Sequence, residues 1–199
     1  NTANTFNIPA SLMESYFVSM RTDLRQTRYF AFDDLMRYIE GSAIPVGRGM
    51  TYILGVKKGY TIAEVFKGAD SLSIAMQLSN FWRDIGDDYF NRNRIYIPLE
   101  DMDRFQYSEK ELSIKKINEN FRDLLEYQFL RTRQYYTIAE KYIKYLNQGR
   151  WGVYSSSEIY HYIIQSIRKN DYDVFTKRAV TSKLKKFQLV IKSGLCCLL

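Results

Sequence analysis

An all-α bundle with a ligand cavity between its helices is the architecture this 199-residue sequence predicts. Three observations predict it. Capping-box pairs stand at Thr61/Glu64, Ser108/Glu111 and Ser155/Glu158, and each marks an expected helix start. A long amphipathic pattern passes through Leu112, Ile117, Phe121, Leu124, Leu125, Leu130, Tyr135, Ile138, Tyr142 and Leu146, ending near Gly149 and Gly152. No convincing period-two alternation occurs, and the apolar stretch 94–97 is too short for a strand.

Taken in chain order, Pro45 sits inside a helix-like pattern just before Val46 and Gly47 and is expected to kink it. The pattern opening at Thr61 runs through Leu72, Ile74, Ala75, Met76, Leu78, Phe81, Trp82 and Ile85. It is apolar over most of its circumference, which predicts a buried helix. A short loop at 91–98 follows, then the helices opened by Ser108 and Ser155. Three prolines, ten glycines and no Gly/Ser linker favour one domain over 1–199. No run of 18 apolar residues and no secretory signal pattern is present.

The net charge of +7 accompanies 17 tyrosines and 12 phenylalanines. Nucleic-acid binding is not expected, because Lys and Arg are spread along helices and no nucleic-acid module is visible. A basic face of this kind suits an anionic substrate or a membrane surface. The two cysteines, Cys196 and Cys197, are adjacent and form no disulfide framework, which fits a reducing compartment; a cytoplasmic setting is expected, and the basic face allows peripheral membrane contact. The last four residues formally fit a prenylation signal, but Cys197 is a poor match to its aliphatic positions; an apolar helix end is expected instead. His161, between Tyr160 and Tyr162, has no partner cluster in the sequence and reads as structural.

The chemistry concentrates at 77–88. Gln77, Asn80, Asp84 and Asp88 are spaced by three, four and four, which places them within an arc of roughly 80° on one helix face. Carboxylates on a buried helix need compensation. A divalent cation supplies it, and oxygen-only ligands favour Mg²⁺ over zinc. Arg83 lies beside the stripe, and the 91–98 loop brings Arg92, Arg94 and Tyr96 next to the acids. Acids for metal beside arginines suit a phosphate-bearing ligand.

The run Gln77-Leu78-Ser79-Asn80, Arg83-Asp84, Asp88, Arg94-Ile95-Tyr96-Ile97-Pro98 resembles the second aspartate-rich motif of the squalene and phytoene synthase family. Met20-Arg21 to Asp23-Leu24, Arg28-Tyr29 and Phe32, Leu35, Tyr38 resemble the run into that family's central helix, with Phe32-Asp33-Asp34 at its start. Ala43, Val46 and Gly47 match a small-residue helix contact; Tyr160, Ile163 and the 174–186 region match the last helices more weakly. Asn93 stands where the family has Gly, in a loop one residue longer, and Asn tolerates the left-handed turn. The family's first aspartate-rich motif is absent. The chain is therefore expected to be a piece of a longer protein, the alternative being a natural short relative.

The resemblance implies a Mg²⁺-dependent prenyltransferase that condenses two prenyl diphosphates head to head through a cyclopropyl intermediate. The substrate would be farnesyl or geranylgeranyl diphosphate and the product squalene, dehydrosqualene or phytoene; NADPH enters only where the product is squalene. Asn80, Asp84 and Asp88 would hold metal, Gln77 and Arg83 would orient substrate and phosphates, and Arg94 would bind the leaving group. Tyr38 and Tyr96 match family tyrosines facing the cavity. Lys185 and Lys186 could reach phosphates, but a basic last helix turn is the default explanation for them. The alternative function is a non-catalytic relative that acts as an assembly or scaffold partner. A cyclase on the same bundle would lack the Tyr96 loop.

Overall fold

The structure, a computed structural model, describes the backbone of residues 2–198 and the side chains of 2–194. Cys196 and Cys197 therefore lie outside the described side chains. Among the described residues the chain forms helices and no strand; Arg28–Ile95 and Val56–Leu146 make isolated bridges only. The predicted all-α class holds. No described helix is long and apolar enough to cross a membrane.

The first elements are a short α1 (Thr2–Thr5), α2 (Ala10–Asp23), α3 (Phe32–Ser42) and α4 (Ile44–Leu54). Asp34 accepts the Ala31 N–H at 2.9 Å, closing the start of α3. Pro45 does not kink a helix. It sits in the first turn of α4, where its missing N–H has no intrahelical role, and the chain breaks before it at Ala43. Gly47 makes the expected close contact: a Cβ there would lie 2.1 Å from Ser73 Oγ.

The Thr61/Glu64 box forms as predicted, Glu64 Oε2 accepting the Thr61 N–H at 2.7 Å and Thr61 Oγ1 accepting the Glu64 N–H at 3.3 Å. It opens α5 (Ile62–Arg83), whose buried face includes Val65, Ile74, Leu78, Phe81 and Trp82. The helix does not continue to Asp88. Asp84 adopts φ −102° and ψ 12°, and α6 (Ile85–Arg92) starts beyond it. The α6 end is closed by Asn93 at φ 54°, the left-handed turn expected of it.

Next come α7 (Leu99–Arg104) and α8 (Glu109–Ser113), the latter opened by the Ser108/Glu111 box. The single amphipathic helix expected from Ser108 is divided. Lys115 at φ 57° turns the chain, and Asn118 Oδ1 accepts the Phe121 N–H at 3.0 Å to start α9 (Glu119–Ile143). Helix α10 (Arg150–Lys169) starts at Gly149, φ 70°. The Ser155/Glu158 pair is therefore no cap; it lies inside a helix already begun, with Ser155 and Ser157 buried against neighbours. Helix α11 (Lys183–Leu198) places Lys185 and Lys186 in a first turn, not a last one.

Helices α5 and α9 pack as the centre of the bundle. Two buried hydrogen bonds fix their register: Trp82 Nε1 donates to Thr132 Oγ1 at 2.8 Å, and Ser79 Oγ meets Tyr136 Oη at 2.9 Å. Trp82, Phe121, Phe129, Leu78 and Leu124 fill the shared core, each large side chain contributing about 1.5–3 kcal/mol through burial.

Candidate active site

A cavity of about 650 Å³ opens between α4, α5, α9 and α10. Val46, Met50, Leu54, Leu72, Met76, Ile143 and Leu146 give it an apolar wall; Gln77 and Asn80 on α5 are its amides. This is room for a hydrocarbon chain with a polar end.

The four stripe residues do not share one space. Gln77 and Asn80 line the cavity, whereas Asp84 lines a polar cleft of about 540 Å³ with Arg83, Asp87, Arg92, Lys115 and Arg178. Asp88 borders a small space with Arg94, Tyr96 and Ile97. The break at Asp84 is the reason: past it, the 100° step no longer relates side chains.

Asp84 is held by two arginines. Arg83 Nη2 lies 2.5 Å from Oδ2, and Arg178 donates from Nε to Oδ1 at 2.9 Å and from Nη2 to Oδ2 at 3.1 Å. Burial would raise the Asp84 carboxyl, but the Arg83 and Arg178 hydrogen bonds outweigh it and hold the group below its ordinary range. Asp88, only 5% exposed, behaves oppositely: burial pushes its carboxyl up to about 6 against the pull of Arg92, whose Nη1 lies 2.6 Å from Oδ1. Arg92 also pairs with Asp87 at 2.9 Å.

Arg94 and Tyr96 turn toward a carboxylate that the motif itself does not contain. Arg94 Nη1 lies 2.8 Å from Asp23 Oδ2, and Tyr96 Oη donates to Asp23 Oδ1 at 3.3 Å. Tyr38, Tyr29, Tyr96 and Phe81 form one aromatic cluster, with Phe81 and Tyr96 stacked at 3.9 Å. Neither Tyr38 nor Tyr96 lines the large cavity. Burial, with Asp23 nearby, pushes the Tyr96 hydroxyl up to about 12 and Tyr38 further still, so both stay protonated donors.

By type the oxygens of Asn80, Asp84 and Asp88 suit a hard divalent cation. Asn80 Oδ1 is buried without a hydrogen-bond partner, whereas Asp84 and Asp88 border other spaces and are held by Arg83, Arg178 and Arg92, which a cation would have to displace. Arg178 and Asp23 were not legible as site residues. Arg178 stands among many basic residues with no spacing to mark it, while Asp23 belonged only to the segment resembling the central-helix approach. His161 is not without a cluster: Glu140 and Glu158 offer ligand atoms near its ring.

The squalene/phytoene synthase family model matches residues 1–185. Chloroplastic phytoene synthase of an Oncidium hybrid cultivar is 35% identical over 193 residues, which are 96% of this chain and 47% of that protein. Phytoene synthase of Arthrospira platensis is 34% identical over 196 residues, 94% of this chain and 63% of that protein. The chain thus spans between about half and just under two thirds of these relatives. Among solved structures, a dehydrosqualene synthase in complex with ligand superposes with TM-score 0.86 at 23% identity, covering 96% of this chain and 66% of that one. YisP from Bacillus subtilis subsp. subtilis strain 168 gives 0.83 at 22%, covering 95% and 74%. At those identities the structural likeness is one of fold. By its family match, its relatives and its helical bundle, the chain belongs to the squalene/phytoene synthase family.

Proposed function

We propose that this chain carries the second half of a head-to-head prenyltransferase site, acting on prenyl diphosphates to give phytoene or a related hydrocarbon. One observation carries the reading: an apolar cavity whose amides, Gln77 and Asn80, precede on the same helix an aspartate clamped by Arg83 and Arg178. The hydrocarbon tail takes the cavity and the diphosphate takes the arginine cleft. Phytoene synthases among the relatives favour the outcome that needs no NADPH.

Arg83, Arg92 and Arg178 neutralise a diphosphate as charge builds on the departing oxygen, the term that dominates such reactions. Asn80, Asp84 and Asp88 would be the residues to hold Mg²⁺, whose chemistry there would be Lewis-acid stabilisation of a diphosphate leaving group. Arg94 holds Asp23 and keeps the Tyr96 hydroxyl oriented, and the Phe81–Tyr96 stack packs behind the wall rather than in the cavity. Peripheral membrane contact belongs to the same reading, supported by exposed Leu184, Phe187 and Ile191 among Lys183, Lys185, Lys186 and Lys192 on α11.

The test is product analysis with farnesyl or geranylgeranyl diphosphate, Mg²⁺, and NADPH present or absent. The 199-residue chain is run beside a version extended upstream, with Asp84→Asn as control. A C30 or C40 hydrocarbon lost in the control supports the enzyme. If neither form makes product or releases pyrophosphate, the catalytic reading fails and the scaffold alternative replaces it.

A further inference from the structure

Helices α9 and α10 run antiparallel, as two contacts show. Arg168 pairs with Glu126 at 2.5 Å, and the His161 ring stacks on Tyr136 at 4.5 Å between centroids. One turn beyond Tyr136 stands Glu140, and one turn before His161 stands Glu158. Ligand atoms of Glu140, Glu158 and His161 all lie within 4.8 Å of one another.

Glu158 and His161 have the Glu-x-x-His spacing with which one helix presents two ligands to one ion, and the facing helix supplies the third. An ion bound at 2.0–2.2 Å in a tetrahedral shell sets its ligands about 3.4 Å apart, a span that side-chain rotation reaches from here. Lys192 and Arg133 supply the positive charge near Glu140 without closing on it. No hydrogen bond or ion pair closes on Glu140 among the described residues, and Glu158 has only the exposed Lys192 at 3.6 Å. Ser157, 1% exposed and without a hydrogen-bond partner for its hydroxyl, is one turn before His161 on the same face and comes level with Glu140 in this helix register.

We propose that Glu140, Glu158 and His161 form a second metal site, distinct from the acid motif of α5 and α6, that takes a divalent transition ion such as Zn²⁺ and clamps α9 to α10. The mixed nitrogen and oxygen donors select a borderline ion, where the all-oxygen set of Asn80, Asp84 and Asp88 selects a hard one. Tyr142 and Ile143 of α9 and Tyr160 of α10 line the large cavity, so the clamp also fixes the spacing of two cavity walls.

The experiment is calorimetric titration of the folded chain with Zn²⁺ in millimolar Mg²⁺, which keeps the acid motif saturated. Co²⁺ absorption serves as a second readout. One saturable Zn²⁺ equivalent is expected, with a Co²⁺ spectrum free of thiolate charge-transfer bands. It persists when Cys196 and Cys197 are both changed to Ser. It weakens by more than about 100-fold, the upper end for loss of an outer-shell partner, in His161→Gln and in Glu140→Gln. Circular dichroism selects whichever of the two variants keeps the helical fold. Absence of saturable binding, binding unchanged in the folded variant, or binding lost with the cysteines overturns the proposal.

Discussion

Arg178 reaches across 94 residues of chain to grip both oxygens of Asp84. The same carboxylate already holds Arg83, so Arg178 occupies an acceptor that a cation would use. Arg178→Ala should therefore act in opposite directions. Mg²⁺ alone should bind Asp84 tighter, by about tenfold or ~1.4 kcal/mol, while pyrophosphate with Mg²⁺ should bind weaker by a similar factor. Calorimetry of the two titrations checks this; changes of the same sign would refute the exchange of partners.

Asp88 sets a pH dependence. Its carboxyl stands at about 6 in the folded chain, raised by burial, against an ordinary value of 3.8. Between those values the folded state keeps a proton that the unfolded state has released. Stability therefore falls as pH rises from about 4 to about 6 and is level above. Asp88→Asn removes that slope and leaves the exposed Arg92 paired with Asp87. Melting curves of both proteins should diverge across the window in favour of the variant, whereas a constant offset would count against a raised Asp88.

Gly86 sits beneath the segment that delivers Arg178. A Cβ at this position would lie 2.6 Å from the Val174 carbonyl oxygen and 2.9 Å from Phe175 Cα. Backbone cannot swing aside as a side-chain tip does, so Gly86→Ala should lift residues 174–178 and break the Arg178–Asp84 pair. Faster amide exchange around Arg178, with α9 protected as before, is the expected pattern.

Asp101 tests the core away from the cavity. It is 4% exposed and accepts from Gln128 Nε2 and Arg131 Nη1, both at 2.8 Å. Arg131 also lies 3.9 Å over the Phe32 ring. Asp101→Ala leaves the part-buried Arg131 guanidinium without its counter-charge and the buried Gln128 amide without its acceptor, and should cost about 3 kcal/mol in denaturant unfolding. A loss below about 1 kcal/mol would mean the pair is solvated.

Local chemistry was what the sequence made legible. The Thr61 and Ser108 boxes and the Asn93 turn each close within three or four residues, and all three formed. Asp84 shows the limit. Apolar periodicity continues through Phe81, Trp82 and Ile85, so nothing in the pattern marks the break at Asp84. Ser155 shows another: a capping pair has the same spelling inside a helix as at its start, and Gly149 had already begun this one. Asp23 and Arg178 join the site only through tertiary approach, from 71 residues before Arg94 and 94 residues after Asp84.

The interruption between α5 and α6 separates two traits that one continuous helix would lock together. Leu72, Ser73 and Met76 shape the cavity on one side of it, and Asp87 and Asp88 carry charge on the other. Since α6 starts afresh beyond Asp84, the apolar cavity wall and the charged cleft can be altered separately. An engineer can enlarge or shorten the cavity by substitution along α5 and leave the acids where they are.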